Sequence, residues 1–124
     1  MRVMNLQKRL DLNPLRLLLS RQKGNFSEDR AIDYLQALGF LVIDRNYYSR
    51  FGEIDIIATK DKVLHFVEVK SGEYDPIYQI TPSKLSKVQK TAQIYMSKKR
   101  LDMDFCIDAL IVTEDIELIE NITL

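Results

Sequence analysis

The sequence predicts an α/β domain in which helices pack on a mixed central sheet. Three observations predict it. Ser27 and the pair Thr81-Pro82 are helix start signals, each followed by apolar residues at helical spacing. Between them run apolar segments rich in Val, Ile and Phe, including two that face each other across a short polar turn. Beyond the second helical stretch, FCIDALIV reads as a further strand. The order is α-β-β-β-α-β-β, and 124 residues suffice for one core but not two.

Taken in order, residues 1–22 form a basic arm bearing leucines, with Pro14 placed to start a short helix, LRLLLSRQ. The domain proper spans 23–124. Its first helix is SEDRAIDYLQALG, with Ser27 as N-cap, Glu28 and Asp29 at the positive end of the dipole and Gly39 at the C′ position. Ala31, Ile32, Leu35 and Leu38 make its apolar stripe. FLVIDRNYY is the first strand, and 52–58 with 63–70 form a hairpin. Thr81 and Pro82 then open a helix to about Lys98, with Leu85, Val88, Ala92 and Tyr95 facing inward. Strands at 105–113 and about 117–123 complete the order.

Charge is balanced overall but not along the chain. Residues 1–24 carry six Lys/Arg and one Asp, and residues 84–100 carry six Lys/Arg and no acid. Residues 25–83 carry six bases against ten acids, and 101–124 carry seven acids and no base. Two basic segments suit phosphate contacts, although a solvated helix face and a basic tail would give the same pattern. One cysteine, Cys106, sits in an apolar strand segment and reads as a buried thiol in a reducing cytoplasm. No apolar run approaches the ~20 residues of a membrane helix. LRLLLS is too short, and lacks the cleavage signature, for a signal peptide.

The hairpin FGEIDIIATKDKVLHFVEVKSG (51–72) carries its charges at two-residue spacing. Alternation puts Glu53, Asp55 and Ile57 on one face, with Leu64, Phe66, Glu68 and Lys70 on one face of the second strand. A two-residue turn at Asp61-Lys62 pairs Thr59 with Leu64 and sets Asp55 opposite Glu68, joining Asp55, Glu68 and Lys70 in one cluster. Ile54, Ile56, Ala58, Val63, Val67 and Val69 bury the other face. Two close carboxylates in apolar surroundings repel, and burying them unpaired costs several kcal/mol each. A hard divalent cation, Mg²⁺ or Mn²⁺, resolves that conflict; an ion pair from Lys70 to Asp55 or Glu68 is the competing account. Glu28 tips the balance toward the cation. It lies on the stripe of Ala31, Ile32 and Leu35 and so aims at the sheet, while Asp29 alone would satisfy the dipole.

These residues carry a resemblance. Asp55 followed by Glu68-Val69-Lys70 resembles the PD-(D/E)xK motif of restriction-endonuclease-like nucleases, whose core is αβββαβ. More closely, K-G-x-x-S-E-x-x-A (23–31), R-N-Y (45–47), F-G-E-I-D-I-I-A (51–58), H-F-V-E-V-K (65–70), I-T-P-S-K (80–84) and the Ala92/Tyr95 pair resemble the YraN family. These are small bacterial proteins regarded as endonucleases related to archaeal Holliday junction resolvases. The likeness covers roughly residues 23–113.

The resemblance implies Mg²⁺- or Mn²⁺-dependent hydrolysis of DNA phosphodiester bonds, with branched or junction DNA as the favoured substrate and a homodimer as one working form. Asp55, Glu68 and Glu28, with the Val69 carbonyl, would hold the metal, and Lys70 would orient the attacking water. Lys84, Lys87 and Lys90 are candidate phosphate contacts. Two positions depart from the family pattern: Ser27 replaces a glycine, and Ser71-Gly72 stands where an arginine commonly follows the lysine. A non-catalytic nucleic-acid-binding or assembly module that keeps the fold is the alternative reading.

Other residues read as structural. Glu53 is a strand-end charge, His65 faces away from Glu68, and Gln89 and Gln93 are helix-surface glutamines. Tyr74 and Tyr78 cover a core edge. Asp108 either approaches the cluster or caps a strand edge.

Overall fold

The computed structural model describes residues 26–72 and 80–123. The arm at 1–22, the helix after Pro14, and Tyr74 and Tyr78 lie outside the described residues. The elements are α1 (Phe26–Ala37), β1 (Leu41–Ser49), β2 (Gly52–Lys60), β3 (Val63–Ser71), α2 (Pro82–Lys99), β4 (Phe105–Val112) and β5 (Ile116–Ile119). They follow the expected order and form one mixed five-stranded sheet, β1-β2-β3-β4-β5. Only β3 and β4 are parallel, because α2 carries the chain across between them.

Local chemistry sets the helix ends. Gly39 takes φ +94 and closes α1 with paired bonds, Gly39 N to Gln36 O at 3.0 Å and Phe40 N to Leu35 O at 3.0 Å. Helix α1 begins at Phe26, so Ser27 lies inside its first turn rather than capping it. At α2 the Thr81 hydroxyl accepts from Lys84 N at 3.2 Å, with Pro82 in the first turn. Its other end is closed by Arg100 at φ 54, with Leu101 N bonded to Met96 O at 2.9 Å. A residue that carries a Cβ is strained in that left-handed conformation. Arg100→Gly is therefore expected to stabilise the fold by about 1 kcal/mol, read as a higher urea midpoint with unchanged m-value.

The sheet has a core on each face. On the α1 side Ala31, Ile32 and Leu35 pack on Val42, Ile56, Ala58, Val67 and Leu110. On the α2 side Val88, Ala92 and Tyr95 pack on Ile54, Ile57, Leu64, Phe66 and Ile107. Tyr95 meets Tyr47 edge-on at a centroid distance of 4.9 Å. Leu38, expected in the buried stripe, is 41% exposed because the chain is already leaving the helix there.

The hairpin turn is as expected. Asp61 and Lys62 have φ 52 and 67, the two left-handed residues of a primed turn, and Thr59 pairs with Leu64. Strict alternation fails in the β1–β2 pair, first where the register shifts between Val42 and Asp44 and again where β2 changes face. Ile54 packs on the α2 side although Ile56 packs on the α1 side. Opposite this point in β1, Asn46 is left-handed at φ 53, between Arg45 paired with Ile56 and Tyr47 paired with Ile54. That conformation turns both strands over at Asn46 and Asp55. At the far edge, β5 ends at Ile119 rather than 123 because Asn121, at φ 56, bends the chain back so that Ile122 N bonds Ile107 O at 2.8 Å.

Candidate active site

The β2–β3 ladder stops at Ile56–Val67, while β3 continues pairing with β4 as far as Ser71–Val112. The two strands part at the next register position, Asp55 and Glu68. In the opening, Asp55 Oδ2 accepts a hydrogen bond from Val69 N at 2.8 Å. A side-chain oxygen thus takes over a backbone partner that the diverging strand withdrew, and the carboxylate is held in the fork.

Beside the fork lies a cleft of about 270 Å³, lined by Glu53, Glu68, Lys70, Phe51, Lys84 and Lys87. Glu68 is only 9% exposed, and its Oε1 is buried without a hydrogen-bond partner. Among the described residues no ion pair within 4.0 Å joins Lys70 to Asp55 or Glu68, although its charge acts on both. Burial pushes both carboxylates up, Asp55 to about 7 with the charges of Glu28 and Glu53 adding to it, and Glu68 to about 8 with the charge of Asp55 adding to it; the Lys70 charge opposes the rise in both.

Glu28 is linked from α1 through β1 to Glu53, and its donor oxygens do not close with those of Asp55 and Glu68 to ligand distance. Its Oε1 accepts from Asn46 Nδ2 at 3.0 Å, and the same amide donates to Glu53 Oε2 at 2.9 Å. Arg45 lies 3.6 Å from Glu28 and 3.0 Å from Asp29, with its side chain 7% exposed. Burial raises the Glu28 pKa, against the opposing pull of Asn46 and Arg45. Arg45 and Asn46 therefore place two acids from different elements, a duty their position in the R-N-Y motif does not announce. Asn tolerates the left-handed backbone that this requires. Asn46→Ala is expected to cost about 1–2 kcal/mol in a chemical melt, and Asn46→Gly less, since Gly keeps the backbone conformation and loses only the bridge.

Glu53 corrects the expectation of an exposed strand-end charge, because the turned-over strand lays it in the cleft beside Glu68. Lys84 and Lys87 line the cleft, whereas Lys90 Nζ stands 5.2 Å from the Phe51 ring centroid. The turn bearing Phe51 is pinned to α2 by a chain of hydroxyls. Ser49 Oγ lies 2.7 Å from Thr91 Oγ1 and accepts from Phe51 N at 3.0 Å. Gln89 and Gln93 are exposed on α2.

A second polar cluster lies elsewhere. His65 and Asp108 are buried and joined at 2.5 Å, and Cys106 Sγ is 3.1 Å from His65 Nδ1. Asp108 thus approaches His65 and not the carboxylate cleft. Cys106 is half-buried, and burial together with Asp108 pushes its thiol up to about 12. Among the described residues no helix is long and apolar enough to cross a membrane.

A family model described as "Uncharacterised protein family UPF0102" matches residues 27–112. The chain belongs to this family. UPF0102 is the YraN family that the motifs resemble, and its match begins within α1 and ends with β4. Similar UPF0102 proteins include one from Helicobacter pylori (strain P12), 59% identical over 105 residues, covering 83% of this chain and 92% of the relative. One from Wolinella succinogenes is 56% identical over 108 residues, covering 86% of this chain and all of the relative. A UPF0102 protein of Sulfurovum sp. (strain NBC37-1) is 55% identical over 105 residues, covering 82% and 93%. The UPF0102 relatives are thus matched along nearly their whole length, with the carboxylate cleft inside the matched region.

Proposed function

We propose that this UPF0102 protein is a Mg²⁺- or Mn²⁺-dependent DNA endonuclease, selective for branched or junction DNA and acting in the cytoplasm. The observation that carries the reading is Glu68: a buried carboxylate with one oxygen unpartnered, beside Asp55 and open to a cleft. Oxygen-only donors with an orphaned buried atom fit a hard divalent cation. Asp55 and Glu68 would hold it, supported by the Val69 carbonyl and by Glu28 through water. When bound, the cation supplies Lewis-acid polarisation of the phosphate and a more acidic water.

The chain's own residues supply the rest. Val69 N–H keeps the Asp55 carboxylate aimed into the fork. Asn46 ties Glu28 to Glu53 and limits how far the acids can spread. Lys70 orients the water that attacks phosphorus and offsets the charge growing on the phosphoryl oxygens, for which its compact ammonium is suited. Lys84 and Lys87, at the cleft wall, receive the phosphates of the strand being cut. A four-way junction offers two symmetric strands, so coordinated cutting calls for two copies of the chain.

The test is cleavage of branched, flapped, single-stranded and double-stranded DNA with Mg²⁺ or Mn²⁺, comparing the natural chain with Asp55→Ala. The expected result is metal-dependent cutting, favouring branched substrates, that Asp55→Ala abolishes. If no substrate is cut, or the variant cuts equally well, the reading fails. Binding of DNA without cutting would instead identify a nucleic-acid-binding module.

A further inference from the structure

We propose that His65, Cys106 and Asp108 form a second metal site, distinct from the carboxylate cleft and suited to Zn²⁺. Among the described residues, their donor atoms all lie within 4.8 Å of one another. The sheet brings them together. His65 and Cys106 are register partners in the parallel β3–β4 pair, and Asp108 follows Cys106 by two residues on the same face of β4. On β3 itself, His65 is near the start of the strand and Glu68 is three residues on, facing the other way. One strand thus serves two clusters on opposite faces.

The pattern of contacts favours a common centre over a nucleophile relay. A relay uses the two ring nitrogens of histidine for different partners. Here Nδ1 alone faces both partners, Asp108 Oδ2 at 2.5 Å and Cys106 Sγ at 3.1 Å, while Sγ lies 3.3 Å from Asp108 Oδ1. A tetrahedral zinc with bonds of about 2.0–2.3 Å holds such donors roughly 3–4 Å apart. The Cys106–His65 separation already fits, the His65 Nδ1–Asp108 Oδ2 pair needs an opening of less than about 1 Å, and one oxygen of Asp108 lies within 4.8 Å of both other donors.

The surroundings orient the donors as a metal site requires. Asp108 is fully buried, and its Oδ1 is fixed by the N–H of Asn121 at 2.9 Å. The His65 ring stands edge-on to Phe40 at a centroid distance of 4.9 Å. Cys106 and His65 border a groove of about 490 Å³ that also includes Glu120, giving an entry path and room for a carboxylate or water as fourth ligand. The donor types select the ion. Thiolate and imidazole suit Zn²⁺, whereas the all-oxygen set of Glu68 and Asp55 suits Mg²⁺ or Mn²⁺. An ion here would clamp β3, β4 and the turn after β5, a stabilising role that needs no cleavage chemistry.

The full chain, stripped of metal with a chelator, would be titrated with Co²⁺ as a spectroscopic stand-in for Zn²⁺, and melted with and without Zn²⁺. The expected results are a thiolate-to-cobalt charge-transfer band that saturates at one equivalent of Co²⁺ in Asp55→Ala, which lacks the cleft's ligand, and a melting point raised by Zn²⁺ by about 5 °C or more in the same variant. Cys106→Ser, a near-isosteric change at a half-buried position, loses the charge-transfer band and most of the Zn²⁺ shift while keeping the response to Mn²⁺. A chain that gives no thiolate band, or a Zn²⁺ shift as large in Cys106→Ser as in the natural chain, overturns the proposal. Neither outcome bears on the nuclease reading, which the Mn²⁺ response and DNA cleavage test separately.

Discussion

In a chelator, the melting temperature is expected to fall as pH rises from about 4 to 8, and Mn²⁺ is expected to flatten or reverse that fall. The unfolded chain releases the protons of Asp55 and Glu68 near their ordinary values of 3.8 and 4.5, whereas the folded chain holds them to about 7 and about 8. Between those limits the unfolded state binds fewer protons, so stability declines with pH and levels off above about pH 8. One pKa unit corresponds to about 1.4 kcal/mol. The two groups titrate as one interacting pair, so their combined effect is on the order of 5 kcal/mol and not the sum of two independent shifts. A bound cation takes the carboxylates in their ionised form, and its stabilisation therefore grows over the same pH range. Glu68→Gln should flatten the chelator curve and lose most of the Mn²⁺ response. A chelator curve without slope, or a Glu68→Gln curve as steep as the natural one, would refute this account of the cleft.

Lys70→Ala is expected to reduce DNA cleavage by roughly 10²–10³-fold while leaving the Mn²⁺ shift of the melting point intact. The reason is a division of labour. Lys70 shares the cleft with Glu68 but is bound to neither carboxylate, so its removal leaves the ligand oxygens where they are. Asp55→Ala should lose both cleavage and the Mn²⁺ shift, since it deletes a ligand oxygen and leaves Val69 N–H without its partner. Lys70→Arg should restore little, because a planar guanidinium cannot place one compact charge at the same point. Comparable loss of the Mn²⁺ response in Lys70→Ala and Asp55→Ala would show that the lysine supports the site's structure and not its chemistry.

Features that rest on neighbours along the chain are legible in the amino-acid order. Thr81 and Pro82 start α2 and Gly39 stops α1 because caps depend on a few adjacent residues. The turn at Asp61-Lys62 sets the register from Lys60–Val63 to Ile56–Val67, one position short of Asp55 and Glu68. Family membership was legible for the same reason, since its motifs are short runs of residues in order.

Features that depend on strands parting or on distant residues meeting emerge from the folded chain alone. Alternation could not show that Asn46 turns β1 and β2 over, moving Ile54 to the α2 core and Glu53 into the cleft. Nor could it show that the ladder ends at Ile56–Val67, which leaves Val69 N–H for the Asp55 side chain. His65 looked solitary in sequence because its partners lie 41 and 43 residues away. A parallel crossover through α2 brings them together, and no local pattern records which residues will face each other across it.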